Sequence, residues 1–121
     1  MSGVAFPELI KRLADCDFSQ SNTHLCVWRD LLVADRELNE TYKSALKIME
    51  TSKAVKRLRE SQRAWIVFRD LNCLVMVGTR DSVGDLYPTL WNLCLASMTK
   101  DRAKQLKEIL DCDGEPCPPK L

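Results

Sequence analysis

The sequence is poor in the residues on which most catalytic and metal sites depend. It has a single histidine, His24, and contains no Cys-x-x-Cys, His-Glu-x-x-His, Gly-x-Ser-x-Gly or glycine-rich phosphate loop. No known pattern therefore supplies a zinc centre, or a nucleophile with its base. We expect a protein that binds without catalysing a reaction, with no cofactor and no metal.

Long apolar runs and an excess of charge of one sign are also missing. No stretch approaches the 18 or more apolar residues of a membrane-spanning helix. Lysine and arginine number 18 against 17 acidic residues, so a net charge of +1 gives no support for a nucleic-acid partner. The 121 residues, of which 45% are hydrophobic and only four are glycine, predict one globular domain over 1–121.

Cysteine, in contrast, is plentiful. Six cysteines are an even number in a short chain, which is typical of disulfides formed in an oxidising compartment. Six reduced thiols in the core of a cytosolic protein are the alternative. Because the first residues show no basic region followed by an apolar stretch, we expect a mature periplasmic or secreted form whose signal peptide has been removed. The six are Cys16, Cys26, Cys73, Cys94, Cys112 and Cys117.

Apolar residues recur at helical spacing over most of the chain, which predicts an all-α fold. The two longest stretches are separated only by Thr51 and Ser52, so we expect them to form a long antiparallel hairpin. Whether the last stretch is one bent helix or two stays open. The predicted helices cover 7–15, 24–50, 53–78 and 86–110.

In such a hairpin the residue numbers of two facing residues add up to a roughly constant value. A value of 104 sets the row of apolar residues on one helix, its seam, against the seam of the other helix. This register places Asp35 level with Arg69 in the middle of the seam. The neighbouring polar side chains could satisfy their hydrogen bonds, so we predict a buried polar layer. Its members are Asp35, Asn39, Tyr42, Gln62, Trp65, Arg69 and Asn72. A ligand site between the helices is the functional alternative to this structural role.

The remaining segments are polar. Residues 78–85 are bounded by glycines and predict a loop, and prolines keep the tail 111–121 from being helical. This topology favours three disulfides among the 15 possible pairings: Cys16 with Cys26, Cys73 with Cys94, and Cys112 with Cys117. A basic patch at the hairpin tip could meet an anionic surface or simply be a solvated helix face. Its residues are Lys53, Lys56, Arg57, Arg59 and Arg63.

Two motifs carry a resemblance to a known family. The stretch 34–42, ADRELNETY, followed by 61–70, SQRAWIVFRD, with Cys73, Cys94, Thr99 and Arg102, resembles the LprI-like lysozyme inhibitors over about residues 15–110. The resemblance implies a small helical domain exported from bacteria and held by disulfides, in a family with members that inhibit lysozyme. By position, the family pattern falls on Asp35, Leu38, Asn39, Tyr42, Gln62, Trp65, Arg69, Asp70, Cys73 and Cys94.

The resemblance therefore implies a protein partner such as lysozyme. Recognition commonly lies on loops carried by a rigid scaffold. We expect the loop that contains Thr79, Arg80, Asp81, Ser82 and Val83 to enter the enzyme cleft, unless it only joins two helices. An envelope adaptor that binds a protein or an anionic wall polymer through the basic patch is the second hypothesis, and the sequence gives no oligomeric state.

Overall fold

A computed structural model describes residues 23–121 and shows that this part of the chain is mostly helical, without a named strand. The predicted all-α fold is confirmed, and the last long stretch is one unbroken helix. The predicted helix over 7–15 lies outside the described residues. The helices are α1 (Thr23–Ile48), α2 (Ser52–Val77), the short α3 (Arg80–Val83) and α4 (Tyr87–Asp111), with a 3-10 turn at Gly84–Leu86 before α4.

Local chemistry fixes both ends of α2. The hydroxyl of Thr51 accepts a hydrogen bond from the backbone N–H of Ala54 at 3.0 Å, which satisfies one of the free donors of the first turn. At the other end Gly78 adopts a φ of +83° and donates its N–H to the carbonyl of Leu74 at 2.9 Å. A Cβ atom at residue 78 would lie 2.9 Å from Oγ of Ser82, so this position requires glycine.

Helices α1 and α4 run parallel and pack closely along their lengths. Nδ1 of His24 in the first turn of α1 lies 3.1 Å from Oγ1 of Thr89 in the first turn of α4. Small buried side chains allow the two backbones to approach; they are Ala34 and Ala45 of α1 and Ala96 and Ala103 of α4.

Helix α2 runs antiparallel to α4. The Cys73–Cys94 disulfide joins them with a Cα–Cα distance of 5.8 Å, and Nδ2 of Asn72 donates to Sδ of Met98 at 3.2 Å. Further along, the side chain of Arg102 reaches Gln62. These contacts make α4 the helix against which both α1 and α2 pack.

The main apolar core lies near the turn between α1 and α2. All three long helices contribute to it, and Tyr42, Leu46, Val55 and Trp65 pack around its buried members. Those buried members are Leu38, Ala45, Met49, Ala54, Leu58, Ala103 and Leu106.

The predicted hairpin seam is correct near the turn and wrong further away. Met49, Leu58 and their neighbours meet in the core as expected. Helix α4 packs against both α1 and α2, and these two helices have few close backbone contacts with each other. Asn72 therefore bonds to Met98 of α4 instead of facing Leu32, and the predicted partner of Trp28, Met76, is 72% exposed.

The tail is non-helical, as predicted, and folds back onto the bundle. Cys112 and Cys117 form the predicted disulfide, with a Cα–Cα distance of 5.6 Å. The ammonium group of Lys120 donates to the carbonyls of Ile109, Leu110 and Cys112, which lie at the C-terminal end of α4. Backbone bonds from the tail to Ile48 and Glu50 close the same end of α1.

Candidate binding surfaces

A buried polar network crosses the interface between α2 and α4. Nε of Arg102 donates to Oε1 of Gln62 at 2.9 Å, and its terminal nitrogens donate to Ser61 at 3.0 Å and Gln105 at 3.1 Å. Burial lowers the pKa of Arg102 from its usual value, and Tyr42 opposes that shift. The fork of donors on Arg102 thus holds α2 and α4 in one register.

The residues of the predicted polar layer do not come together as one unit, and the buried cation is a residue outside that set. Gln62 belongs to the network, whereas Tyr42 and Trp65 pack against the apolar core, Asn72 bonds to Met98 and Asn39 is exposed. Arg102, in the helix that packs against both others, supplies the buried charge that we expected from Arg69. Its position in a 3-4 alternation with Thr99, Ala103 and Leu106 is the sequence signal for this burial.

Asp35 and Arg69 lie near each other without the predicted close ion pair. Arg69 donates to Asp70 at 3.0 Å, and its guanidinium carbon lies 5.3 Å from the centre of the Trp65 ring. Burial raises the pKa of Asp35, and the positive charge of Arg69 partly counteracts that rise. Trp65, one turn before Arg69, holds the guanidinium on its own helix.

A groove of about 380 Å³ separates α1 from α2 near the basic patch. No carboxylate group lines it; its walls present two guanidinium groups, two side-chain amides, a phenol and an isoleucine. The side chains are Asn39, Tyr42, Arg59, Gln62, Arg63 and Ile66. The groove can therefore accept an anionic group.

The five residues of the predicted basic patch are all exposed on the first half of α2. Among them, Lys56 lies 3.9 Å from Glu60 in an ion pair one turn along the helix. Arg59 and Arg63 also line the groove between α1 and α2. The patch is thus continuous with that groove.

The predicted loop is folded into helical turns. Residues Arg80–Val83 form α3, followed by a 3-10 turn, so the expectation of an irregular loop is wrong. Ser82 donates its backbone N–H and its hydroxyl to the carbonyl of Thr79, at 3.1 and 2.8 Å. Thr79, Arg80, Asp81 and Ser82 are exposed, whereas Val83 is partly buried. This α3 turn is a short, hydrogen-bonded projection at one end of the bundle.

The Cys73–Cys94 disulfide has the predicted pairing and closes the connection that contains the α3 turn, with Cys73 fully buried. Cys26 is also fully buried. Its predicted pairing with Cys16 falls outside the described residues.

Two further properties bear on function. None of the helices in the described part of the chain is long and apolar enough to cross a membrane. Within residues 23–121, no three histidine, cysteine, aspartate or glutamate side chains come together as a group that could hold a metal ion.

A second groove was not expected from the sequence. It holds about 430 Å³ between α2 and α4, and Met76, Leu90 and Leu93 line it together with Asn72 and Met98. The register of 104 sets Met76 opposite Trp28, whereas the structure leaves Met76 mostly exposed.

Comparison with known proteins places this architecture in a family. Residues 16–106 match the family model "Lysozyme inhibitor LprI". The uncharacterized protein R02472 of Rhizobium meliloti (strain 1021) is 32% identical in an alignment that covers 77% of this chain and 75% of that protein. The uncharacterized protein YecT of Escherichia coli (strain K12) is 25% identical over 85% of this chain and 72% of its own length.

No solved structure matches the chain. The family match covers both resemblance motifs, the Cys73–Cys94 disulfide and Arg102 of the buried network. It extends over most of the three long helices that pack together. The chain belongs to the LprI lysozyme inhibitor family.

Proposed function

We propose that this protein binds and inhibits a lysozyme in the periplasm or outside the cell, and so protects bacterial peptidoglycan. The observation that carries the proposal is the match to the lysozyme inhibitor family over residues 16–106. The disulfides at Cys73–Cys94 and Cys112–Cys117 support a location in an oxidising compartment. Inhibition would occur by binding, without turnover.

The α3 turn is the surface that we propose for contact with the enzyme. A short turn that is tied by Ser82 to Thr79, in a segment closed by the Cys73–Cys94 disulfide, loses little conformational entropy when it enters a cleft. Arg80 is exposed on this turn and carries a fork of donors. Lysozyme hydrolyses its substrate with two carboxyl groups, which a guanidinium group can engage.

Titration of the oxidised protein into lysozymes of several types, during lysis of a peptidoglycan suspension, tests the function. We expect lysis to fall in proportion to the inhibitor added and to stop at one molecule per enzyme. A thiol count on the same sample verifies that the cysteines are oxidised. Undiminished lysis with every lysozyme type would refute the proposed function.

The surface is tested separately from the function. Arg80→Glu should weaken inhibition by roughly tenfold or more, because it places a negative charge against the carboxyl groups of the enzyme. Lys43→Glu makes the same charge change at an exposed position of α1 and is the matched control. Equal inhibition by both variants and the wild type would refute the role of the α3 turn while leaving inhibition itself intact.

A second candidate function is supported by the groove between α1 and α2. Its lining has two arginines and no carboxylate, and it continues into the exposed basic patch, which suits an anionic wall polymer. Retention on such a polymer should fall steeply with added salt, since exposed charges are screened. We expect Arg59→Glu combined with Arg63→Glu to abolish it. Salt-independent binding, or none, would remove this candidate.

A further inference from the structure

The outward face of α2 changes character halfway along the helix. Its first half carries the exposed basic patch, whereas its second half exposes an apolar strip to solvent. The strip consists of Val67, Phe68, Leu71, Leu74 and Val75, with exposed fractions of 59%, 59%, 58%, 44% and 82%. Spacings of three and four residues place these side chains on one side of the helix, opposite the side that packs on α4.

A second apolar surface lies on the side of α2 that faces α4. Met76 of α2 and Leu90 and Leu93 of α4 are exposed by 72%, 37% and 52%, and they line the groove of about 430 Å³. The five side chains of the strip expose roughly 500 Å², so two copies would bury about 1,000 Å² together, the least that a specific protein interface needs. An apolar patch of this size on a small domain marks an interaction site.

Charge is almost absent from this surface. Between Ala64 and Gly78 the only charged residues are Arg69 and Asp70, which bond to each other at 3.0 Å. Residues 86–99 contain no charged side chain. A strongly charged partner would find no opposite charge here, whereas a surface of the same kind would match it in polarity.

We propose that the apolar strip is the interface of a symmetric dimer with a second copy of this chain. The two α2 helices would cross antiparallel about a two-fold axis at Leu71. In this register the residue numbers of facing residues add up to 142. Val67 therefore lies opposite Val75 of the second copy, Phe68 opposite Leu74, and Leu71 opposite Leu71. Every apolar side chain of the strip then faces another, as an isologous interface requires.

The same arrangement is favourable for the charges outside the strip. An antiparallel crossing turns the basic half of each α2 towards the end of the second copy that carries the α3 turn. Asp81 and Asp85 are exposed there and outnumber the one exposed cation of residues 79–86, Arg80. Because the two-fold axis repeats this approach of the basic patch to the two aspartates, long-range attraction adds to the apolar contact. The dimer does not depend on the proposed function, because the apolar strip is present whether or not the protein inhibits lysozyme.

Sedimentation equilibrium of the oxidised full chain, over a wide concentration range, tests the proposal. We expect a reversible monomer–dimer equilibrium in the wild type. Leu71→Glu should weaken the dimer roughly 100-fold, because two like charges then face each other across the axis. Val33→Glu is the matched control, since Val33 is a 42% exposed apolar residue on α1. It should leave the dimer unchanged.

Each result separates the possibilities. Far-ultraviolet circular dichroism establishes that both variants keep their helices, and Val75→Glu is a second variant of the strip should Leu71→Glu lose helix content. A wild type that stays monomeric at all concentrations overturns the proposal. Dimers that Leu71→Glu and Val75→Glu leave unchanged overturn it as well. If the wild type is monomeric and Leu71→Glu loses lysozyme binding, the strip belongs to the enzyme contact instead.

Discussion

The buried network around Arg102 gives the sharpest test of how the bundle is held in register. Arg102→Leu removes three side-chain hydrogen bonds and leaves Oε1 of the buried Gln62 without its donor. A buried acceptor that loses its partner costs about 1–3 kcal/mol of unfolding free energy. Gln62→Leu should cost a similar amount, because Nε of Arg102 then loses its acceptor while Ser61 and Gln105 keep theirs.

The double variant is the informative one. With leucine at both positions the buried donor and its buried acceptor are both gone, the other two acceptors, Ser61 and Gln105, are exposed to water, and two apolar side chains meet between α2 and α4. We therefore expect the double variant to be more stable than the sum of the single losses by about 1–3 kcal/mol. Arg102→Leu alone should lower the melting temperature by at least about 4 °C for each kcal/mol lost.

Guanidinium unfolding of the oxidised proteins, followed by circular dichroism, measures these differences as shifts in the transition midpoint. Gln105→Leu is the control: Gln105 is exposed and accepts only one of the three bonds, so it should change stability by less than about 0.5 kcal/mol. Strict additivity of Gln62→Leu and Arg102→Leu would refute the coupling that the hydrogen bonds imply.

Three further predictions concern single positions. Burial raises the pKa of Asp35 in the folded state above its ordinary value of 3.8. Between pH 3.8 and that raised pKa the folded state binds more protons than the unfolded state, so the free energy of unfolding falls as pH rises through this window. Asp35→Asn should therefore raise the melting temperature at pH 7, with a gain that disappears in acid; a gain that is constant with pH would contradict this. Gly78→Ala should cost about 1–3 kcal/mol, and more than Gly84→Ala, because both positions have positive φ but only residue 78 would crowd Ser82; equal losses in denaturant titrations would show that the crowding is relieved. Oγ1 of Thr99 is buried and has no hydrogen-bond partner in the described part of the chain, so Thr99→Val should leave stability unchanged or increase it by about 1 kcal/mol in thermal unfolding, and a large loss would reveal a partner.

The sequence predicts the helices well because their signals are local. Apolar periodicity locates α1 and α2 to within two residues, and Gly78 ends α2 as expected. The disulfide between Cys73 and Cys94 follows from the same topology, since the ends of two helices joined by a short connection must lie close together.

The arrangement of the helices is harder to predict, because periodicity identifies an apolar face without saying which helix covers it. The apolar seam of α1 has the spacing that would match the seam of α2, but it also contains small residues that allow close packing on α4. Ala34 and Ala45 decide for α4, since they allow the closer backbone approach. The buried cation then comes from α4 as Arg102, and Arg69 remains with Trp65 on α2.

The α3 turn shows a second limit of sequence reasoning. Glycines on both sides of a short polar segment are typical of a loop. Here Gly78 stops one helix, and the hydroxyl and N–H of Ser82 then bond to Thr79 and start a new helical turn. A four-residue helix has too few residues to produce a periodic signal.

The two described disulfides differ in their accessibility to reducing agents. Cys73 is fully buried between α2 and α4, so a thiol can reach this disulfide only at the sulfur of Cys94, which is partly exposed. Cys112 and Cys117 are partly exposed in the tail, whose Lys120 and Leu121 bond to the ends of α4 and α1. A mildly reducing medium should therefore open the tail disulfide first and fray that end of the bundle, before it reduces the Cys73–Cys94 disulfide.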